Sequence, residues 1–285
     1  MIVTISGATG FIGHALIKKI RIKEWDIRII DRESLSLPDK DFREKMIEGA
    51  DVIINLAGAP VANKWTKPYK QIIRESRINI TRKITRSILS ATQKPCLFIS
   101  QSATGIYDST HVHKESSVYF AGDFLATLCK DWENEALAAQ NVTRVTIIRT
   151  GLVLGQDGGL LQKLYFPFSI GLGGKIGNGK QFMSFIHLDD LVNIYLFIIE
   201  HPELSGIINA VSPFPTTNAE FTDKLGKVLK QPSWLTFPSF ILKMKLGEGA
   251  KMLLEGQKVL PEKLEQAGFR FAYPTVQNAL VKIFG

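Results

Sequence analysis

The chain has 285 residues, of which 45% are hydrophobic and 22% charged, a balance that excludes disorder and allows one large α/β unit or a core with a smaller cap. Lys and Arg number 35 against 27 Asp and Glu, and the resulting net charge of +8 favours anionic ligands. The basic residues are scattered rather than striped, so nucleic acid is not an expected partner.

Met1 to Ser6 reads as a strand, and Phe11 to about Ile22 has apolar residues at helical spacing. Strands follow at Asp26–Ile30 and Asp51–Ala57, then a long helix over Tyr69–Ala91. The basic group Arg74, Arg77, Arg82, Lys83 and Arg86 on that helix reads as a solvated face. Cys96–Ser100 reads as a strand, Asp123–Ala139 as a helix and Arg144–Arg149 as a strand. This alternation predicts a Rossmann-type, doubly wound parallel sheet with helices on both faces. Ligands in such sheets bind at the carboxyl ends of the strands. After Gly151, glycines and prolines thicken, and helices are expected at Leu188–Glu200 and Asn218–Leu229. Trp234–Gly256 reads as the helices of a cap. The expected organisation is a dinucleotide-binding core over 1–150 and a substrate or cap region over 151–285, with about 182–210 returning to the core.

Two cysteines, Cys96 and Cys129, suit reduced thiols. There is no basic leader before the first strand, and no apolar run is long enough for a bilayer. A cytoplasmic protein without membrane contact is expected, and a homodimer is left open.

The opening SGATGFIG places Gly7, Gly10 and Gly13 between a strand and a helix. Gly7 allows a sharp turn, Gly10 admits a pyrophosphate to the backbone, and Gly13 lets the helix pack closely. The helix N-terminus offers N–H groups and partial positive charge to phosphates. Gly7, Thr9, Gly10, Phe11, Ile12 and Gly13 are therefore cofactor-binding candidates, as are Leu56, Ala57 and Gly58 of NLAG, whose small residues would let adenosine cross the strand end. Asp31 ends the second strand, where a carboxylate binds ribose hydroxyls and favours NAD. Arg32 follows, and a guanidinium there suits the 2′-phosphate of NADP. The two cues conflict, so the cofactor is NADP or NAD.

Two signals are rejected. GKIGNGKQ lacks the Ser or Thr of a phosphate loop and reads as a glycine loop over the substrate. His111, His113 and Glu115 lack a fourth ligand nearby, so no metal is expected.

SGATGFIG, NLAG, FISQSATGIY, RTGLVLG and FIHLDDL resemble the extended short-chain dehydrogenase/reductase superfamily. NLAGAPVANKWT, RESRINITR, GDFLATLCKDWE, PTTNAEF and the tail VLPEKLEQAGFRFAYPT resemble its atypical epimerase family, family 39, with a C-terminal domain of unknown function. The resemblance spans nearly the whole chain. It implies a nicotinamide cofactor, more often NADP, and hydride transfer on a nucleotide sugar or a related carbonyl or alcohol. Arg32 keeps to the family pattern, whereas Asp31 departs from its usual small polar residue.

Relatives use Ser, Tyr and Lys, the last two as Y-x-x-x-K on a helix, where the ammonium lowers the phenol pKa for proton transfer. Ser102 matches the serine. GDFLATLCKDWENE has no tyrosine; Phe124 and Leu125 stand near its place, Cys129 aligns with the lysine, and Lys130 lies one residue beyond. One residue rotates a helical side chain by roughly 100 degrees. Ser102 as orienting hydroxyl, Tyr107 as replacement proton carrier and Lys130 are the catalytic candidates, and Arg149 of RTG would close the nicotinamide side. His187 reads as structural, and Asp189 and Asp190 as helix-start carboxylates. The alternative is a cofactor-binding sensor that has lost the chemistry.

Overall fold

A computed structural model describes residues 1–156 and 158–285. The chain alternates β1 (Ile2–Ser6), α1 (Phe11–Ile22), β2 (Asp26–Ile30), β3 (Val52–Asn55), α2 (Lys67–Ser90), β4 (Leu97–Ala103), α3 (Phe124–Leu137) and β5 (Arg144–Thr150). It then forms α4 (Gly159–Ser169) and α5 (Leu188–Glu200), and returns to the sheet as β6 (Gly206–Ala210). The longer helices that follow are α6 (Asn218–Val228), α7 (Ser239–Leu246) and α8 (Val276–Phe284).

The six strands are parallel, in the order β6-β5-β4-β3-β1-β2. Alternating side chains bury both faces, so each strand reads as a nearly continuous β-branched run. Val3, Ile5, Ile54, Ile99 and Ile208 face α1 and α5, against Leu16, Ile20, Leu191 and Tyr195. Ile53, Phe98, Val145 and Ile147 face α2 and α3, against Ile84, Ile88 and Ala136. Each fully buried aliphatic side chain contributes about 1.5–3 kcal/mol. The order of connections reverses between β1 and β3, which opens a crevice at their carboxyl ends.

β2 pairs only with β1, which makes it a sheet edge, and it ends where Asp31 begins the next helix. Its carboxylate caps the short helix Arg32–Ser36, accepting from the Ser34 backbone N–H at 2.8 Å, while the Ser34 hydroxyl returns to the Asp31 N–H.

Beyond Gly151 a separate apolar cluster joins Leu154, Leu161, Phe168, Phe185, Phe221, Leu225, Val276 and Leu280 from α4, α6, α8 and the short strands Leu152–Gly155 and Phe185–His187. The segment from Trp234, expected to be helical, begins as a strand at Leu235–Phe237 paired with Gly174–Ile176. The absence of a Cβ at Gly174 permits this pairing, since one there would fall 2.2 Å from the Leu235 carbonyl oxygen. Among the described residues no helix is long and apolar enough to cross a membrane.

Asp190 and His187 fasten the tail of the chain. The buried Asp190 carboxylate accepts from the Ala272 and Tyr273 N–H groups at 2.8 and 2.9 Å. His187 caps α5, its Nδ1 accepting from the Asp189 N–H, and stacks on Tyr273 with centroids 4.1 Å apart.

Candidate active site

Gly7 has φ of +71°, and a Cβ there would lie 2.8 Å from the Leu56 carbonyl, so only glycine lets the loops after β1 and β3 approach. A Cβ on Gly13 would lie 2.3 Å from the Gly7 oxygen; α1 is thus seated on the loop itself rather than only on the sheet. Gly10 caps α1 without a side-chain bond, and the first turn holds no acidic residue, so its N–H groups and partial charge remain available. Thr9 and Gly10 are exposed at this mouth. Ile12 packs toward the core, and the Phe11 ring closes against Gly155 and Gly158. Across the crevice, the buried Ser6 hydroxyl donates to Asn55 Oδ1 at 2.6 Å. Asn55 in turn donates to Thr81 Oγ1 at 2.7 Å, a hydroxyl that also accepts from the Trp132 indole. This network locks the end of β3, and with it Leu56, Ala57 and Gly58, to α2 and α3.

The cradle suits a dinucleotide: glycines at 7, 10 and 13 keep side chains out of it, and the uncapped N-terminus of α1 faces it with backbone N–H groups. Asp31 uses Oδ1 for both cap hydrogen bonds. These bonds from Ser34 hold its carboxyl below the usual range. Arg32 beside it is exposed and forms no ion pair among the described residues.

At the end of β4, the Ser102 hydroxyl donates to Glu133 Oε1 at 2.6 Å. Arg149 from β5 grips that carboxylate with two nitrogens, Nε to Oε1 at 2.9 Å and Nη2 to Oε2 at 2.7 Å. Arg149 Nη1 donates to the Tyr107 hydroxyl at 2.9 Å, which donates to Asn209 Oδ1 on β6, also at 2.9 Å. Ser102, Tyr107, Glu133 and Arg149 are 1%, 0%, 5% and 2% exposed, so this is an internal relay. Burial opposes the Arg149 charge, but the Glu133 bonds overcome it and raise its pKa above the ordinary value. Burial raises the Tyr107 phenol, with Arg149 pulling the other way.

Three expected roles change with this geometry. Tyr107 borders the cavity beside this relay, and its hydroxyl is engaged by Arg149, Asn209 and the Lys114 carbonyl, which ties the loop after β4 to β5 and β6. Arg149 turns its guanidinium to Glu133 and Tyr107 rather than to a cofactor. Lys130 is exposed and lies over the Phe120 ring at 4.8 Å, on the turn of α3 that points away from Ser102. Cys129 occupies the inward position instead; burial and the Glu133 charge push its thiol up to about 12. Leu125, one turn earlier, fills the space over Gly105, where a Cβ would lie 2.4 Å from its Cδ2. In the segment of His111, His113 and Glu115, expected to be an exposed loop, His113 and Glu115 are instead buried, and His113 stacks on Tyr107 at 4.5 Å and meets Asp108.

Glu133 was missed from sequence, although Leu125, Cys129 and Glu133 recur every four residues on one face of α3. Beside the relay a cavity of about 170 Å³ opens among Trp65, Gly105, Leu125 and Met252. Asp108, Asp123, Glu255 and Lys251 supply its charged groups.

The reversed strand order and the glycine cradle define a Rossmann-type α/β fold of the kind that binds dinucleotides. Residues 3–210 match the NAD dependent epimerase/dehydratase family, and residues 237–283 match a domain of unknown function, DUF1731. The chain belongs to the NAD dependent epimerase/dehydratase family. It is 39% identical to the chloroplastic SDR39U1 homolog of Arabidopsis thaliana, an epimerase family protein, over 98% of this chain and 86% of the relative. The crystal structure of human epimerase family protein SDR39U1 with NADPH superposes with a TM-score of 0.93 at 31% identity, covering 99% of both chains. A Corynebacterium glutamicum structure described as a nucleoside-diphosphate sugar epimerase gives a TM-score of 0.80 at 30% identity, covering all of this chain and 58% of the other.

Proposed function

We propose that the protein is an NADP(H)-dependent oxidoreductase for a small carbonyl–alcohol pair. The observation that carries this reading is the Ser102–Glu133 hydrogen bond of 2.6 Å at the end of β4. NADP is favoured because Arg32 is exposed and forms no ion pair among the described residues, which suits a 2′-phosphate, while Asp31 spends Oδ1 on capping the next helix. The human relative, bound to NADPH, agrees with this choice. Gly7 to Gly13 and Leu56 to Gly58 would hold the dinucleotide, which when bound supplies or accepts the hydride.

Ser102 donates its own proton to Glu133, so toward substrate its oxygen is an acceptor. Ser102 would orient a substrate hydroxyl, its oxygen accepting that hydrogen bond while Glu133 holds the serine's own proton in place. Arg149 holds the Glu133 carboxylate aimed at the serine through two nitrogens. The cavity has three carboxylates and one lysine, and beyond Gly151 the only arginine is the exposed Arg270. That balance suits a neutral carbonyl better than a pyrophosphate. Epimerisation of a nucleotide sugar is the second reading, favoured by the description of the Corynebacterium relative.

The test is to follow NADPH oxidation with a panel of small aldehydes, ketones and nucleotide sugars, comparing wild type with Ser102→Ala. Turnover of a small carbonyl that is lost in Ser102→Ala is expected. Turnover of nucleotide sugars alone selects the second reading. Tight NADPH binding without turnover across the panel would overturn the enzyme reading and leave a sensor.

A further inference from the structure

We propose that the cap surface formed by α7, the strand before it and the end of α4 docks on an anionic lipid bilayer. Side chains of the kind that fill cores stand in solvent there: Trp234, Met244, Phe166 and Phe240 are 79%, 74%, 69% and 62% exposed, and Ile170 and Ile241 beside them are about half exposed. The elements that carry them are contiguous. Phe166 and Ile170 are one helical turn apart. The loop after Ile170 meets Pro232, 3.3 Å from where a Cβ on Gly171 would lie. Gly174–Ile176 then pairs with Leu235–Phe237, which joins Trp234 to α7. Within α7, Met244 is four residues from Phe240 and three from Ile241, so the three share one face. No residue of α7 is buried, so packing within the chain does not account for its apolar character. Soluble proteins seldom expose apolar surface of this extent without a use.

The charge on the same elements selects the partner. Residues 158–188 and 224–247 contain eight lysines and neither Asp nor Glu. Lys230, Lys243 and Lys245 are exposed and form no ion pair among the described residues. Lys243 and Lys245 flank Met244, so their ammonium groups can rest among headgroups while the apolar face enters below them. A second copy of the chain on this surface would set lysines against lysines in a two-fold contact, where like charges repel. An anionic bilayer supplies both counterparts, headgroup phosphates for the lysines and acyl chains for Trp234, Phe240 and Met244. The expectation of no membrane contact follows from the lack of a spanning run, which bears on crossing a bilayer rather than on lying at its surface. The Leu246 carbonyl at the end of α7 accepts from the Trp65 N–H, so docking would hold the cavity lined by Trp65 and Met252 close to the bilayer.

The experiment is cosedimentation of the full chain with vesicles of phosphatidylcholine alone and of phosphatidylcholine mixed with phosphatidylglycerol, at low and high salt, beside size-exclusion chromatography of the chain without lipid. Binding to the mixed vesicles is expected at low salt, with at least about tenfold less on phosphatidylcholine alone or at high salt. Phe240→Ser with Met244→Ser should weaken binding by about 10- to 100-fold, as the loss of buried apolar side chains requires. Lys243→Gln with Lys245→Gln should weaken it by about tenfold and gives the comparison should the first pair misfold. Arg86→Gln, on α2, should leave it within about twofold. Absence of binding to the mixed vesicles, or binding undiminished in both double variants, would overturn the proposal. So would a dimer that Phe240→Ser with Met244→Ser converts to monomer, since a second copy would then be what covers the surface.

Discussion

Replacing Glu133 with Gln keeps the side-chain shape but places an amide N–H₂ against Arg149. In the native protein that guanidinium and the carboxylate are 2% and 6% exposed and joined at 2.7 Å, with a second bond at 2.9 Å. Removing one charge leaves the other buried without a partner, which costs about 3–5 kcal/mol. For a chain of this size each kcal/mol moves the melting midpoint by about 2–4 °C. Glu133→Gln should therefore melt roughly 6–20 °C below wild type. The double variant Glu133→Leu with Arg149→Met removes both charges and should melt above either single variant, since a matched apolar pair avoids the desolvation penalty. The assay is a thermal melt, without ligand, of wild type, Glu133→Gln, and the cycle's two singles, Glu133→Leu and Arg149→Met, with their double. A Glu133→Gln midpoint within about 2 °C of wild type, or a double variant worse than the sum of the singles, would refute the claim that this carboxylate is what the buried guanidinium depends on.

Gly7→Ala should lose NADPH binding and destabilise the chain by at least about 1–2 kcal/mol from the left-handed backbone alone; calorimetry and a melt check both, and retained binding would contradict the close approach of the two loops. Tyr107→Phe strands an Arg149 donor and the Asn209 acceptor, so it should cost about 1–3 kcal/mol. Its catalytic rate, measured below the melting range, should stay near that of wild type; a collapsed rate with unchanged stability would restore Tyr107 as proton carrier. Burial holds His113 and His187 below the ordinary value of 6.5, so the unfolded chain takes up protons first on acidification. Their contribution to stability is full above the unfolded value and is lost as pH falls from there toward the folded values. His187→Asn keeps an N-cap oxygen for α5 and should flatten that acid limb in melts between neutral pH and pH 5; an unaltered slope would show that His187 does not titrate with unfolding.

What was legible in the sequence is what local chemistry encodes. The cradle needs glycine at positions 7 and 13 for reasons confined to one turn and the two loops beside it, and the strands show themselves because both faces are apolar. Asp31 carried two meanings at one position, since a carboxylate after a strand can serve a ribose or cap the next helix. Ser34, three residues on, decides that it caps Arg32–Ser36.

The relay was beyond such reading. Its members come from β4, the loop after it, α3, β5 and β6, and only the sheet order sets Ser102 opposite Arg149 in register. Periodicity placed Leu125, Cys129 and Glu133 on one face of α3, but a carboxylate on an apolar face becomes a partner only once a cation from another strand is known to lie under it. The same limit applies to Arg77, grouped by composition with the solvated arginines of α2. Arg74 and Arg82 pair with Asp131 and Glu135 across to α3, as charges on a wet face do. Arg77 lies between them in sequence, but the helical twist turns it inward to Gly58 and Trp132, where its charge meets no carboxylate among the described residues. The absence of Y-x-x-x-K therefore does not by itself decide whether the chemistry has been lost. The hydroxyl–carboxylate pair Ser102–Glu133 comes from different elements, and whether it serves the chemistry is decided by turnover in Ser102→Ala.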